Sequence, residues 1–523
     1  MGRPHDPDSD QLAAGAHADA LPTVPRCCPC GIHRPVVGLI VVAVLALALR
    51  LFALSDRCFH GDELLSIRLV SEYPLSVLPE VTIPAWHPPL HYAVPKLLWL
   101  AGARTEAEWR LPGVIAGVVL VIAIYLLPLI GGAPRLALPA GVLAATSPLG
   151  VLFSQTDRWH PLVAAMLAAG LVATAYGLKS RLLWVWMVAG LLYGLAFETV
   201  YLAAIPAGAA MLMALWWLRT RNEDLTGWLA GAATGLFVSL PALPTMLKWL
   251  QPGGGADSLL GTFAKVALVA QNLIVGPTVM PWNWLVTIPG LAIAGVVVYR
   301  FATSEDENIR ALRLPCAAFV LLCLPAMLLS PVTASSRYWL VLLAPVLIAF
   351  AGGLLSISTR RWQMLAAAGI ALICGYGLFN LYTQQQYQYL ELVDDWNQLV
   401  DIARDQVGPG DQVWSTMDPF AHYYGPECVR VFQWQYEPGA VGRHLREQPT
   451  TRVLLQYSPM SGWGATDFGK VGEMIGEQLQ ARGFERKLRA FYGKDPDAAA
   501  KRRFYRGRDF ADFRHCIEVW VRQ

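Results

Sequence analysis

Charge is scarce in this chain. Only 15% of its 523 residues are Asp, Glu, Lys or Arg, whereas such residues make up about a quarter of an ordinary soluble domain. An excess of one sign is missing as well. The 41 Lys and Arg against 38 Asp and Glu leave a net charge of +3, too little to neutralise a phosphate backbone, so no nucleic-acid partner is expected. The sequence lacks a glycine-rich phosphate cradle: Gly253-Gly254-Gly255 has neither a preceding strand nor a following Lys-Ser/Thr, which disfavours a nucleotide-sugar or ATP-driven enzyme. No repeat of solenoid period is present. The densest thiol cluster, Cys27-Cys28-Pro29-Cys30 with His33, lacks the spacing of paired zinc thiolates, and metal binding, acylation near a membrane and no role at all stay open for it.

Apolar residues are abundant, at 55% of the chain, with 45 Gly, 36 Pro and 19 Trp. Trp concentrates at membrane interfaces, and Gly and Pro are commoner in membrane helices than in soluble ones. A helix needs about 20 mostly apolar residues to cross the hydrocarbon core. About eleven such runs occur, near 36–54, 111–130, 136–153, 160–178, 182–197, 200–217, 227–246, 284–302, 314–330, 338–357 and 362–382. The first follows some 35 mostly polar residues and has no small-residue cleavage site after it, so it is not read as a cleavable signal peptide. The expected fold class is therefore an α-helical polytopic membrane protein.

Arg135, Lys179, Arg181, Arg219, Arg221, Arg300, Arg310, Arg313, Arg360 and Arg361 fall in short loops on one side, and Arg158, Lys248, Lys265 and Arg337 on the other. Because cytoplasmic loops are rich in Lys and Arg, a cytoplasmic N-terminus and an outer C-terminus follow. Residues 1–35 read as a disordered cytoplasmic tail, 36–383 as a membrane domain with a long first outer loop over 55–110, and 384–523 as an extracytoplasmic α/β domain. In that last part, Gln412–Ser415, Val429–Trp434, Arg452–Gln456 and Cys516–Val521 read as strands, and about 471–483 as a helix stopped by Gly483. Cys428 and Cys516 lie outside the membrane, where a disulfide between them can form.

The few remaining charges collect at the outer edge. The first loop opens with Cys58-Phe59-His60-Gly61-Asp62-Glu63 and runs to Trp86-His87-Pro88-Pro89-Leu90-His91-Tyr92; Ser154-Gln155-Thr156-Asp157-Arg158 forms the next outer turn, Lys248 follows the seventh run, and Arg337-Tyr338 opens the tenth. Each has a bland reading: Asp62 and Asp157 as caps, Lys248 and Arg337 as snorkelling side chains. Arg50 near the outer end of the first run either snorkels or touches a lipid phosphate. Lys501-Arg502-Arg503 with Arg506 and Arg508 is a solvated face or a contact for anionic lipid or glycan. Together, acids beside fixed cations at one depth suit transfer from an anionic lipid donor, with a carboxylate taking a hydroxyl proton and a cation holding the departing phosphate.

The ordered set Gly61-Asp62-Glu63, His87-Pro88-Pro89-Leu90-His91-Tyr92, Glu108-Trp109-Arg110-Leu111-Pro112-Gly113, Ser154-Gln155-Thr156-Asp157-Arg158 and Arg337-Tyr338 with Pro345 resembles the GT-C glycosyltransferases. It is most similar to the bacterial family 39 and aminoarabinose-transferase-like members, relatives of the dolichyl-phosphate-mannose protein mannosyltransferases. The resemblance covers about residues 36–383. It implies a GT-C fold and a multi-pass protein of the bacterial inner membrane with its active site on the extracytoplasmic face. It also implies transfer of a sugar from a polyprenyl-phosphate donor to a hydroxyl of a lipid, glycan or protein acceptor, with inversion.

Residue by residue, the resemblance makes Asp62 the general base or acceptor-orienting acid, Glu63 an acceptor-site or structural acid, and Asp157 the supporting acid of the second outer loop. Arg337, beside Tyr338, is then the holder of the lipid phosphate, with Lys248 or His87. His87 stands where aminoarabinose transferases have a Lys, a departure that weakens the match to that substrate. Glu198-Thr199 occupies a position where relatives often carry a polar residue. No cofactor is implied, and a divalent metal is left open. The alternative is a secondary transporter or flippase of a lipid-linked glycan; such proteins place their coupling charges near the midplane within repeats, whereas these acids lie at an edge.

Overall fold

The computed structural model describes residues 30–78, 88, 90–244, 246, 259–328, 336–385, 394–437, 439–459, 468–495, 497–504 and 512–523. His87, Lys248, the glycine run at 253–255, Cys27, Cys28, Arg506 and Arg508 lie outside the described residues. Within the described residues, each of the eleven apolar runs is mostly helical. In chain order the membrane part contains α1 (Cys30–Leu51), two first-loop helices α2 (Gly61–Glu72) and α3 (Leu90–Leu100), α4 (Glu106–Ile130), α5 (Ala137–Thr146), α6 (Pro148–Ser154), α7 (His160–Ser180), α8 (Leu183–Phe197), α9 (Ala204–Thr220) and α10 (Thr226–Ser239). It continues with α11 (Leu259–Ile274), α12 (Trp284–Thr303), α13 (Glu307–Leu328), α14 (Leu343–Leu355) and α15 (Arg360–Tyr382). Among the described residues, seven helices are long and apolar enough to cross a membrane, and the bent pair 134–146 and 148–154 makes an eighth. The chain is an integral membrane protein.

The bent pair has a local cause. Ser147-Pro148 ends one helix, because a residue before proline is steered out of the helical region, and starts the next, because the Ser147 hydroxyl accepts from the Gly150 N–H at 3.3 Å with Pro148 in the first turn. The axis turns by 55° there. Small residues set how closely α4 meets this bend: a methyl group on Gly113 would lie 2.8 Å from the Thr156 carbonyl oxygen, and one on Gly117 would collide with the Ser154 hydroxyl and the Arg50 guanidinium. The bundle core is built around this contact from Val42, Ala46, Leu120, Ile124, Ala140, Ala144, Leu149 and Leu152.

Arg50 does not reach lipid. It is fully buried, donating to Ser154 Oγ at 3.2 Å and to the carbonyls of Ala46 and Ala145 at 3.1 and 3.3 Å. A guanidinium this deep is tolerated because the bend frees carbonyl oxygens to receive it.

The C-terminal part, connected through α16 (Trp396–Arg404), is a five-stranded sheet with helices: β1 (Gln412–Ser415), α17 (Asp418–Tyr424), β2 (Cys428–Arg430), α18 (Ala440–Glu447), β3 (Arg452–Tyr457), α19 (Phe468–Gln480), β4 (Phe484–Lys494), α20 (Ala498–Phe504) and β5 (Phe513–Arg522). The strand order is β2-β1-β3-β5-β4. β1 lies parallel to β2 and β3, and β5 runs antiparallel to β3 and β4. The expected strand over Val429–Trp434 is shorter than its apolar run, which turns into a 3-10 helix at Phe432–Tyr436. Strand β4 escapes the sequence pattern because it is an edge strand carrying Glu485, Arg486, Lys487 and Arg489, largely exposed along its length. Cys428 and Cys516 are free thiols, not a disulfide; they sit on β2 and β5 with two strands between them. In the basic cluster, Lys501 is buried against Asp495 at 2.8 Å rather than solvated.

Candidate active site

The end of the bundle where α1 stops and α4 starts brings together Asp62, Glu63, Asp157, Arg337 and Tyr338. Its frame begins with His60. Nδ1 of His60 accepts from the backbone N–H groups of Asp62 and Glu63 at 3.0 and 3.2 Å, and the Glu63 side chain returns a bond to the His60 N–H, closing a capping box at the start of α2. An accepting Nδ1 requires a neutral ring, and burial pushes the His60 pKa down to about 4.

Successive residues on a helix point about 100° apart, so the two acids part ways. Glu63 turns inward and is fully buried. Its Oε1 accepts from Arg110 Nε at 3.0 Å and from the Asp157 N–H at 2.7 Å, and its Oε2 accepts from Arg110 Nη2 at 2.9 Å and the His60 N–H at 3.1 Å. Burial opposes its charge, but Arg110 and the hydrogen bonds hold the carboxyl well below the usual range. Arg110 spends its remaining donors on the carbonyls of Leu54, Arg57 and Cys58 at 2.9 to 3.0 Å. Both partners are saturated, and Glu63 ties α2, α4 and the 155–159 turn together.

Asp62 turns outward. Its Oδ2 lies 2.9 Å from Arg337 Nη1 and 3.5 Å from Arg158 Nη2, while its side chain keeps 42% of its exposure. Arg158 above all, then Arg337, hold the Asp62 carboxyl far below the ordinary carboxylate range against the opposing effect of burial. Arg158 is fixed by further bonds to the Asp62 carbonyl at 3.1 Å and Ser66 Oγ at 3.3 Å. Tyr338, next to Arg337, packs on Trp159 and His160 with ring centroids 5.5 Å apart, so the late Arg-Tyr pair is anchored on the same turn that carries Asp157.

Asp157 is the contrasting acid. It is 8% exposed, and its Oδ2 has no hydrogen-bond partner among the described residues. Burial, reinforced by Glu63, pushes its pKa up to about 8. This has a measurable consequence for stability. The unfolded chain loses the proton near pH 4, as an ordinary Asp does at about 3.9, whereas the folded chain keeps it to about pH 8, so the site costs stability as the pH rises between those values. Asp157→Asn is expected to raise Tm by several degrees at pH 8 and by progressively less as the pH falls towards 4, read by thermal unfolding in detergent. A pH-independent difference would contradict the raised pKa.

The turn preceding Asp157 serves the frame. The Gln155 amide donates to the carbonyls of Arg50 and Phe52 at 3.1 and 2.8 Å, satisfying the end of α1, while its backbone carbonyl receives Arg57 at 3.1 Å. Glu198 lies apart from these charges. Its Oε1 accepts from the Ala242 N–H at 2.8 Å and its carbonyl from the Leu90 N–H at 3.0 Å, tying α3 to the end of α8. Arg110, Arg158 and His60 were not picked out as site residues by sequence. Their signals were present: Arg110 stands inside Glu108-Trp109-Arg110, Arg158 directly follows Asp157, and His60 sits three residues before an acid, in the position of a cap. Among the described residues no group of three or more His, Cys, Asp and Glu is arranged to hold a metal ion.

Residues 86–244 match the family model described as dolichyl-phosphate-mannose-protein mannosyltransferase. In three dimensions the chain is similar to ArnT from Cupriavidus metallidurans in the apo state, with a TM-score of 0.57 at 13% identity over 92% of this chain and 98% of that one. It is similar to the same protein bound to undecaprenyl phosphate, with a TM-score of 0.56 at 13% identity over 92% and 97%. No curated protein matches the chain by sequence. At 13% identity the two structural likenesses show a fold shared with ArnT.

Proposed function

We propose that the protein transfers a sugar from a polyprenyl-phosphate donor to an acceptor hydroxyl, with inversion, on the extracytoplasmic side of the membrane. The observation that carries this reading is the Asp62 carboxylate clamped between Arg337 and Arg158, with a second acid, Asp157, buried in the same turn as Arg158. The family-model match and the fold shared with a protein that binds undecaprenyl phosphate support it.

In the resting site the arginines suppress the basicity of Asp62. An incoming phosphodiester anion competes for the same guanidinium groups, and as Arg337 turns to the phosphate, Asp62 loses a cation and regains proton affinity. Asp62 then takes the acceptor hydroxyl proton, the acceptor oxygen forms its bond to the anomeric carbon, and the bond from that carbon to the phosphate oxygen breaks on the opposite face. The electron pair leaves with the lipid phosphate, whose charge grows by one unit as it becomes a monoester, so the arginine interaction is stronger in the transition state than before it. The phosphate leaves as an anion and needs no acid catalyst, unlike the alcohol leaving group of glycoside hydrolysis. Asp157, buried in the turn that carries Arg158, supports the sugar or acceptor site. His87 and Lys248 remain proposed phosphate contacts.

The test is purified protein in detergent, without any gradient, given a radiolabelled polyprenyl-phosphate sugar. Transfer or release of the sugar is expected. Gradient-dependent movement in vesicles, with no chemistry on any such donor, would favour the transporter instead.

A further inference from the structure

The C-terminal domain reaches directly into the frame that holds Asp62. The Tyr423 hydroxyl, on α17, accepts from the Phe59 N–H at 2.7 Å and donates to Glu106 Oε1 at 2.5 Å. Phe59 immediately precedes the His60 cap of α2, and Glu106 is the first residue of α4, one turn before Arg110. One hydroxyl thus joins the two helix starts whose Glu63 and Arg110 form the buried pair.

The two cores also exchange side chains. Tyr423 packs against the first-loop cluster of Phe59, Leu64 and Trp109, while Cys58 packs against the C-terminal core. Around this joint, Asn397 Nδ2 lies 3.6 Å from Cys58 Sγ, the His422 and Phe59 rings meet edge to face at 5.8 Å, and Arg68 of α2 pairs with Asp418 of α17 at 3.3 Å. Contacts that only tethered a domain would have no reason to converge on the residues leading into the cap.

We infer that Tyr423 is a positioning residue for Asp62, and that the C-terminal domain sets the geometry of the catalytic loop through it. The inference rests on the transferase reading for its kinetic consequence but not for its structural one. Removing the hydroxyl leaves a Phe59 N–H without its acceptor and breaks one of the two links between the starts of α2 and α4, the Glu63–Arg110 pair being the other, so the cap loosens and Asp62 samples positions off its arginines. Displacements of this size cost turnover more than binding when the phosphate is held elsewhere, by Arg337.

The experiment uses the full-length protein in detergent with Tyr423→Phe. Hydrogen exchange over residues 58–66 is expected to accelerate about 10-fold or more while the α7 helix is unchanged. The kcat should fall about 10- to 100-fold with KM for the polyprenyl-phosphate sugar moving by less than about 3-fold. Because both singles break the same bridge, Tyr423→Phe combined with Glu106→Ala should lose little more than the worse single variant. Unchanged exchange over 58–66, a loss confined to KM, or additive losses in the double variant would overturn the inference. If the wild-type protein transfers no sugar, the transferase reading fails, and the exchange data alone still decide whether the clamp exists.

Discussion

Asp62→Asn lowers sugar transfer by about 1,000-fold or more, the upper range for loss of a general base, in a protein that folds and extracts normally. The amide is isosteric and keeps an oxygen for Arg337 and Arg158, so the frame built on His60, Glu63 and Arg110 is untouched; what it cannot do is take a proton. The result is read as product formed from a labelled polyprenyl-phosphate sugar under single-turnover conditions, which separates chemistry from donor binding. Turnover at the wild-type rate would end the assignment of Asp62 as base. Asp157→Asn separates the two acids, because a residue already protonated at neutral pH loses less on becoming an amide than one that must ionise.

The second large effect is on folding. Arg110→Met leaves Glu63 charged or forcibly protonated at full burial, and it strips the carbonyls of Leu54, Arg57 and Cys58 of their donor. Breaking a buried pair from one side costs about 3–5 kcal/mol, so a steep fall in Tm and in the yield of monodisperse protein is expected. In many proteins, replacing both members of a buried pair with apolar residues restores stability. Here Glu63→Leu with Arg110→Met is expected to recover little, because the backbone donors of His60 and Asp157 and the three carbonyls remain without partners. Full recovery, measured by thermal unfolding, would show that the pair is merely internal and not the fastening of the loop.

Much of the membrane architecture was legible because its signal is local. A run of about 20 apolar residues declares a span without reference to anything else; within the described residues all eleven runs are mostly helical, and seven or eight helices are long and apolar enough to cross a membrane, the others being shorter or broken. The grouping of Asp62, Asp157 and Arg337 at one end was legible too, since each sits at a span boundary. What could not be read was which charge meets which. Asp62 and Arg337 are 275 residues apart, and their meeting depends on how α2 lies across the end of the bundle. The division of labour between Asp62 and Glu63 is likewise tertiary: adjacency on a helix guarantees that they face different ways, but packing against Arg110 decides which one turns inward. Arg50 was misread for a related reason, because its sequence neighbours look like a lipid-facing helix end and only the bend at Ser147-Pro148 supplies carbonyls to bury it. Strand β4 carries too many charges for an apolar alternation to appear, being an edge.

The central claim is that the donor phosphate and Asp62 compete for Arg337. It is tested most directly by the affinity of a short-chain polyprenyl phosphate for the purified wild-type protein, Asp62→Asn and Arg337→Met, measured in detergent at fixed ionic strength. The account predicts that Asp62→Asn binds at least as tightly as wild type, the competing carboxylate charge being gone, and that Arg337→Met binds about 10- to 100-fold more weakly, as expected for loss of a charge-assisted hydrogen bond to phosphate. Weaker binding by Asp62→Asn together with unchanged binding by Arg337→Met would contradict it.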